Sequence, residues 1–311
     1  MRVLMIFLDG VGIGRKDATV NPLFAADLPA LQSMVGKDLF SLHHREIRNP
    51  HTTLSPLDAT LGVAGLPQSG TGQTALFTGE NAARLIGKHF GPYPYSTLRP
   101  LIAEKNLFRR LQSLGVKPAF ANAYPQRYFD YMARHPSRMT VLAYASLQSG
   151  IPLLRAQDLD SGRGVSADLT GEGWHSLGYP AMKVIAQAEA GRRLVGMLQR
   201  HEFVLFEYWK TDHAGHAQDM NEACAALNAV DRLLTGVLET MDSRRHLLVV
   251  TSDHGNLEDL SIKTHTRHPV PLLLYGHRHA EMAARLKGGP AGASLCGVAP
   301  ALIEMLAPDS G

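Results

Sequence analysis

Cysteine is nearly missing from this chain. Cys224 and Cys296 are the only two in 311 residues, and neither lies in a Cys-x-x-Cys pair. That excludes a disulfide scaffold and a thiolate metal site. Both sit in apolar stretches and read as small buried hydrophobes of a reducing compartment. An excess of one charge is lacking too. The formal net charge is +3, and no block of Lys and Arg with interleaved aromatics occurs, which argues against a nucleic-acid partner. No apolar run approaches the roughly 20 residues of a membrane span. The apolar start ends at Asp9, too soon for a secretory signal. The expectation is a cytoplasmic protein with no membrane partner. Internal repeats and low-complexity tracts are also absent, leaving an ordinary globular chain.

What is present is a length that suits one large α/β domain, or a core with a smaller second domain. Hydrophobic residues make up 45% and charged residues 19%, as in ordinary globular proteins. Fifteen histidines are many for this length, and several lie near aspartates. Val3 to Leu8 is apolar without alternation, the pattern of a parallel strand buried on both faces. Phe203 to Tyr208, His246 to Val250 and Pro269 to Tyr275 read as further strands. Ala181 to Gln199 has a helical pattern, and Leu28 to Met34 and Val298 to Leu306 read as short helices. Ala223, Leu227, Val230, Leu234, Val237 and Met241 recur at steps of four and three, one face of a helix. Strand and helix in alternation argue for an α/β core, a mostly parallel sheet and helices on both faces. Three prolines between His89 and Pro100 mark a boundary. Residues 90–190 differ in character, with loop-rich stretches and arginines at 127, 134, 138, 155 and 163. They read as an inserted smaller cap, and residues 1–89 and 191–311 as the core.

Chemistry-bearing residues collect at the ends of these strands. Asp9 follows the first and precedes Gly10, Gly12 and Gly14. The glycines fall short of a dinucleotide fingerprint, and Asp9 stands where it would repel a pyrophosphate. Asp212 and His216 follow the strand ending at Tyr208. Asp253 and His254 follow the strand ending at Val250, and His265 precedes the next strand. In a parallel sheet, ligands gather at the carboxyl ends of strands. The Gly65–Gly79 loop runs into a helix expected to begin near Thr71, where unpaired N–H groups favour a phosphate. Each residue alone has an ordinary explanation as a cap, a surface pair or a loop residue. Together, three carboxylates and three imidazoles suit two divalent ions, Zn²⁺ or Mn²⁺ by their mixed N and O donors. Two such ions can clamp the attacking and leaving oxygens of an in-line displacement. One would also lower the pKa of the Thr71 hydroxyl, making it a nucleophile. The Gly72 N–H is expected to stabilise charge on the transferred group.

These residues resemble the alkaline phosphatase superfamily, and within it the branch of cofactor-independent phosphoglycerate mutase and phosphopentomutase. The resemblance rests on Leu8-Asp9-Gly10-Val11-Gly12-Ile13-Gly14, the Ser69-to-Gly79 loop and Asp212-x-x-x-His216. Asp253-His254-Gly255-Asn256, His265-Thr266-x-x-Pro269-Val270-Pro271 and Val298-Ala299-Pro300 complete it. It covers about two thirds of the chain, in the family's order. It implies a three-layer alkaline-phosphatase-like core with a mostly parallel sheet and an inserted cap. It also implies that Thr71, Asp9, Asp253 and His254 hold one metal, and Asp212, His216 and His265 the other. Thr71 would take the phosphoryl group and pass it on. His213 and His268 match no ligand position, and Asn256 is expected to shape its loop. The phosphoglycerate mutases carry a serine nucleophile and a longer insert, whereas the nucleophile position is read here as threonine. The sulfatase motif is missing. The expected function is phosphoryl transfer on a small phosphorylated metabolite, first as a phosphohydrolase and alternatively as a phosphomutase. A catalytically silent metal-binding protein is disfavoured, because every expected ligand is present.

Overall fold

A computed structural model describes residues 1–37 and 39–308. Its strands are β1 (Arg2–Leu8), β2 (Ile47–Arg48), β3 (Thr52–Leu57), β4 (Pro118–Phe120), β5 (Asn122–Ala123), β6 (Val165–Ser166), β7 (Phe203–Tyr208), β8 (His246–Thr251) and β9 (Val270–Gly276). Seven of them form one sheet in the order β2-β3-β9-β8-β1-β7-β4, and β5 pairs with β6 apart from it. β8, β1, β7 and β4 run parallel. β9 is antiparallel to β8, β3 antiparallel to β9, and β2 antiparallel to β3. β3 therefore runs with the parallel set, and the sheet is mostly parallel, as expected.

β1 explains why the sheet is buried on both sides. Val3, Met5 and Phe7 enter the core on one face, and Leu4, Ile6 and Leu8 the core on the other. None of the six exceeds 6% exposure. The period-2 geometry of a strand sends successive side chains to opposite faces, so a continuous apolar run feeds two cores. The helices Ser69–Thr78, Leu107–Ser113, Val141–Gln148 and Leu295–Leu306 cover the first face. Pro29–Val35, Gln187–Met197 and Met220–Thr240 cover the second. The result is a three-layer α/β/α sandwich.

The helix Met220–Thr240 buries the expected stripe of Ala223, Leu227, Val230, Leu234 and Val237. Asp219 starts it by accepting the Asn221 and Glu222 N–H groups at 2.8 and 2.9 Å, the usual role of an N-cap aspartate. Asp231, in the same helix, serves a different one. Its carboxylate accepts the N–H groups of Ala30 and Leu31 at 3.1 and 2.8 Å, capping the helix Pro29–Val35 from outside.

The strand expected at Pro269 to Tyr275 is β9, and it runs antiparallel to its neighbour. A parallel return would need a long crossover, usually a helix. Residues 252–269 instead stay at the carboxyl edge of β8, and Thr251 pairs with Leu272. That detour holds three of the expected site residues, Asp253, His254 and His265, and their neighbours at one edge.

The segment 90–190 divides its loyalties. β4 is the edge strand of the main sheet. Leu107, Phe108, Leu111, Phe120 and Val141 join the same core as Phe7, and the Phe108 ring lies 6.3 Å from those of both Phe120 and Phe203. The edges drawn at 90 and 190 therefore do not coincide with a change of core. β7 has an open flank that needs a partner, and this segment supplies it. A separate small cluster of Ala123, Leu159, Trp174 and Met182 forms beside β5 and β6. Four of the five arginines noted in this segment are held locally. Arg134 bonds the Asp130 carbonyl, Arg138 the Tyr131 hydroxyl, Arg155 the Gln126 amide and Arg163 the Asp158 carboxylate. Arg127 is exposed. Among the described residues, no helix is long and apolar enough to cross a membrane.

Candidate metal centre

Three adjacent parallel strands, β8, β1 and β7, end side by side, and each delivers a carboxylate. Asp9 is the first residue after β1, with its N–H on the Tyr208 carbonyl at 3.0 Å. Gly10 follows with φ +69°, and a Cβ there would lie 2.5 Å from Asp212 Oδ1. Only glycine lets the two acidic loops come that close. Asp212 sits early in the helix Lys210–Ala217, which Thr211 ties back by donating to the Asp9 carbonyl at 2.6 Å. His216 follows one turn later, its Nε2 3.4 Å from Asp212 Oδ2. Asp253 and His254 follow β8. His254 Nε2 lies 3.3 Å from Asp9 Oδ1 and 3.7 Å from Asp253 Oδ2. His265 arrives from the detour, its Nε2 3.6 Å from Asp212 Oδ1 and 3.2 Å from His216 Nε2. Its ring stacks on that of His254 with centroids 3.8 Å apart.

The three imidazoles are oriented alike. Nδ1 of His216 faces the Lys263 carbonyl at 3.0 Å, Nδ1 of His254 the Gly255 carbonyl at 3.3 Å, and Nδ1 of His265 the Pro67 carbonyl at 2.7 Å. A carbonyl only accepts, so each Nδ1 carries the hydrogen and each Nε2 is turned to the cluster. That is how metal-binding histidines are held.

Two sets of donors have ligand atoms within 4.8 Å of one another: Asp212, His216 and His265, and Asp9, Asp212 and His254. Asp212 thus belongs to both. Asp253 adjoins the second set through His254 and accepts the Gly10 N–H at 3.4 Å. Asp9 Oδ1 and Asp253 Oδ2 are buried and receive no hydrogen bond. Burying unpaired carboxylates is costly, and divalent cations would supply the missing partners. The residues therefore fit the metals that the sequence implies.

The same crowding shows in the proton affinities. Burial, then the nearby Asp9 carboxylate, pushes Asp253 well above the usual carboxylate range. Burial alone would lower His254, but Asp253 and Asp9 outweigh it and push it up to about 10. Burial and the neighbouring His254 press His265 down to about 4. Glu207, the penultimate residue of β7, is buried and pushed up to about 8 by burial and then by Asp9 and Asp253. Asn122 holds its backbone with two bonds of 2.8 Å.

Thr71 and Gly72 are not part of this cluster. The Thr71 hydroxyl is fully buried, donates to the Gln68 carbonyl at 3.1 Å and accepts the Phe90 N–H at 3.2 Å. The Gly72 N–H is spent on the Gln68 carbonyl at 2.8 Å. Gly72 matters for room instead, since a Cβ there would lie 2.7 Å from the Asp253 carbonyl. The hydroxyl that reaches the cluster is that of Ser69, with Oγ 3.0 Å from His254 Nε2. The helix begins at Ser69, not near Thr71. At 100° per residue, positions 69 and 71 face nearly opposite ways, whereas 69 and 73 share a face. Gln73 is indeed on that side, its Nε2 3.5 Å from Asp9 Oδ2. A helix frame placed on the Ser69–Gly79 stretch would have found both. Glu207 was legible as a lone acid in an apolar strand, and Glu258 carried no signal beyond its nearness to His254. Asn256 shapes its surroundings as expected, donating to Asp212 Oδ1 at 2.7 Å and to the Asp212 carbonyl at 3.1 Å. His213 points outward to Glu222 at 3.4 Å. An open cleft lined by Asp9, Trp209, Asp212, His213, His216 and Ala217 leads to the cluster.

A mostly parallel sheet with helices on both faces, whose carboxyl edge gathers this donor set, has an alkaline-phosphatase-like fold. The family model described as the Metalloenzyme superfamily matches residues 177–309, so that this segment is similar to that superfamily. A 2,3-bisphosphoglycerate-independent phosphoglycerate mutase of Ehrlichia canis (strain Jake) is 31% identical over 116 residues. That match takes in 35% of this chain and 22% of the relative, so the chain spans only about a fifth of that relative's length. The structure of the PH0037 protein from Pyrococcus horikoshii aligns with TM-score 0.59 at 14% identity, covering 98% of this chain and 96% of that one. Alkaline phosphatase from the Antarctic bacterium TAB5 aligns with TM-score 0.51 at 14% identity, covering 88% and 90%. At such identities the two structures show a shared fold.

Proposed function

We propose that this chain is a two-metal phosphoryl-transfer enzyme acting on a small phosphorylated metabolite, with Ser69 as nucleophile. The observation that carries the reading is the Ser69 Oγ, 3.0 Å from His254 Nε2 at the first turn of a helix. Asp212, His216 and His265 would hold one divalent ion, Zn²⁺ or Mn²⁺. Asp9, Asp253, His254 and the Ser69 oxygen would hold the other. When bound, the ions supply positive charge that acidifies the serine hydroxyl and offsets the charge of the phosphate.

The chain's own groups do the rest. Ser69 Oγ attacks phosphorus in line, the bond to the leaving oxygen breaks, and a phosphoserine results. The N–H groups of Ser69 and Gly70, in the open first turn, receive the phosphoryl oxygens. Gly70 is needed there, because a Cβ would lie 2.2 Å from the Tyr93 carbonyl. Gln73 steadies Asp9 from one turn further on. In hydrolysis, water then takes the phosphoryl group and frees Ser69. In a mutase, another hydroxyl of the same substrate takes it. The relatives named as phosphoglycerate mutases support the second course. The smaller insert favours the first, since a mutase must exclude water between half-reactions. We take hydrolysis as the leading reading. The part of the segment from Asn122 onward, beside Glu207, would receive the substrate as a cover. The reading includes no nucleic-acid or membrane partner, and a cytoplasmic setting.

The test is to incubate the Mn²⁺- or Zn²⁺-loaded protein with p-nitrophenyl phosphate and with 3-phosphoglycerate. Free phosphate is the expected product. Conversion of 3- to 2-phosphoglycerate without phosphate release would replace the hydrolase by the mutase. Turnover undiminished in Ser69→Ala would overturn the assignment of the nucleophile.

A further inference from the structure

Glu258 is 3% exposed and lies five residues beyond Asp253, outside every ligand position. Its carboxylate is nonetheless the point where the ligand-bearing loops meet. Oε2 accepts the Gly12 N–H and the Asn256 N–H, both at 2.8 Å. Oε1 accepts the Thr266 hydroxyl and faces His268 Nδ1 at 3.0 Å. Gly12 follows Asp9, Asn256 follows His254, and Thr266 follows His265. Asn256 in turn holds Asp212 through its side chain. One buried carboxylate therefore joins the loops that carry Asp9, Asp253, His254 and His265, and reaches Asp212 through one further bond.

The glycines confirm how tightly the loops close on it. A Cβ at Gly12 would lie 2.3 Å from the Glu258 carboxyl carbon, and one at Gly255 2.3 Å from Oε1. A Cβ at Gly14 would lie 2.6 Å from the Glu258 carbonyl. Three glycines leave room for one acid. Backbone pairing between these loops is sparse among the described residues: the Gly255–Thr266 bridge, Leu257 N–H on the Gly10 carbonyl at 2.9 Å and Ile13 N–H on the Pro269 carbonyl at 2.8 Å.

We propose that Glu258 is a positioning residue that sets the spacing of both metal subsites by fixing three loops at once. This rests on the reading that the cluster binds divalent ions. An acceptor-only carboxylate suits four donors, and groups that orient metal ligands typically change metal affinity by about 10–100-fold when removed. Titration calorimetry with Mn²⁺ on the wild-type chain, Glu258→Ala and Glu258→Gln tests it, alongside thermal melts without metal. Glu258→Ala is expected to weaken Mn²⁺ uptake by roughly 10-fold or more. Glu258→Gln should stay close to wild type, its carbonyl keeping both N–H bonds while its amide donates to Thr266 and His268. Should Glu258→Ala not fold, Thr266→Val, which removes one of the four donors, should still show weaker uptake. A folded Glu258→Ala or Thr266→Val with unchanged Mn²⁺ affinity, even with a lowered melting temperature, would overturn the inference alone. A wild-type chain that takes up no Mn²⁺ would overturn the metal reading and this inference with it.

Discussion

At the scale of single residues, two hydroxyls two positions apart have opposite roles. Ser69 faces the cluster, and Thr71 holds Gln68 to Phe90. Ser69→Ala should lower phosphoryl transfer by roughly 10⁴-fold or more while leaving the fold intact. Thr71→Val should keep activity but cost about 1–3 kcal/mol, because the buried Phe90 N–H loses its acceptor. Steady-state kinetics and urea denaturation of the pair separate the two roles. His254 gives a pH prediction. Its folded pKa is raised to about 10, so near neutrality it holds a proton that a metal must displace. The imidazolium stabilises the metal-free fold fully below its unfolded value, and that contribution is lost as pH rises through about 10. Metal uptake should therefore release a proton and weaken by about tenfold per pH unit on acidification for each proton displaced. Calorimetry in two buffers of different ionisation enthalpy measures it, and zero released protons near pH 7 would contradict the His254 assignment.

At the scale of elements, the second-face helices are locked by close backbone contact. A Cβ on Gly236 would lie 1.8 Å from the Ala188 carbonyl, and one on Gly191 2.1 Å from the Leu233 carbonyl. The helices Gln187–Met197 and Met220–Thr240 cross at these two glycines, where only backbone fits. Gly236→Ala should destabilise by about 1–3 kcal/mol through overpacking, read as a lower urea midpoint with unchanged metal affinity in the folded protein. Elements with strong periodicity were legible from sequence. Val3–Leu8 and the Ala223–Met241 stripe depend on local spacing and local burial alone. The direction of β9 was not, because pairing sense depends on how the preceding loop is routed, and no residue within the strand encodes that.

At the scale of the whole molecule, the proposed metal centre would couple folding to metal. Its carboxylates come together only in the folded chain, so a bound ion adds stability by mass action, about 2.7 kcal/mol at a hundred times the dissociation constant. Adding Mn²⁺ to the metal-free protein should raise the melting temperature by several degrees, and EDTA should reverse it. A melting temperature indifferent to both would sink the metal centre. The routing of residues 90–190 also belongs to this scale. Composition set the segment apart, but β4 and Phe108 lie in the main sheet and core, since the open flank of β7 needed covering. A composition shift records solvent exposure along the chain, and exposure does not reveal which sheet a buried minority of residues will join.

The sequence by itself determined the layered α/β core, the strands that feed it and the six acidic and imidazole side chains that meet at the sheet's edge, because hydrophobic period and residue chemistry are local properties. The tertiary structure decided which hydroxyl meets them, that Asp212 lies between both donor sets, and that Glu258 binds the loops together. Those facts depend on the angle at which a helix presents its first turn and on contacts between loops some 250 positions apart in the chain, such as the Gly12–Glu258 bond, separated by 246. Neither is carried by any short stretch of residues.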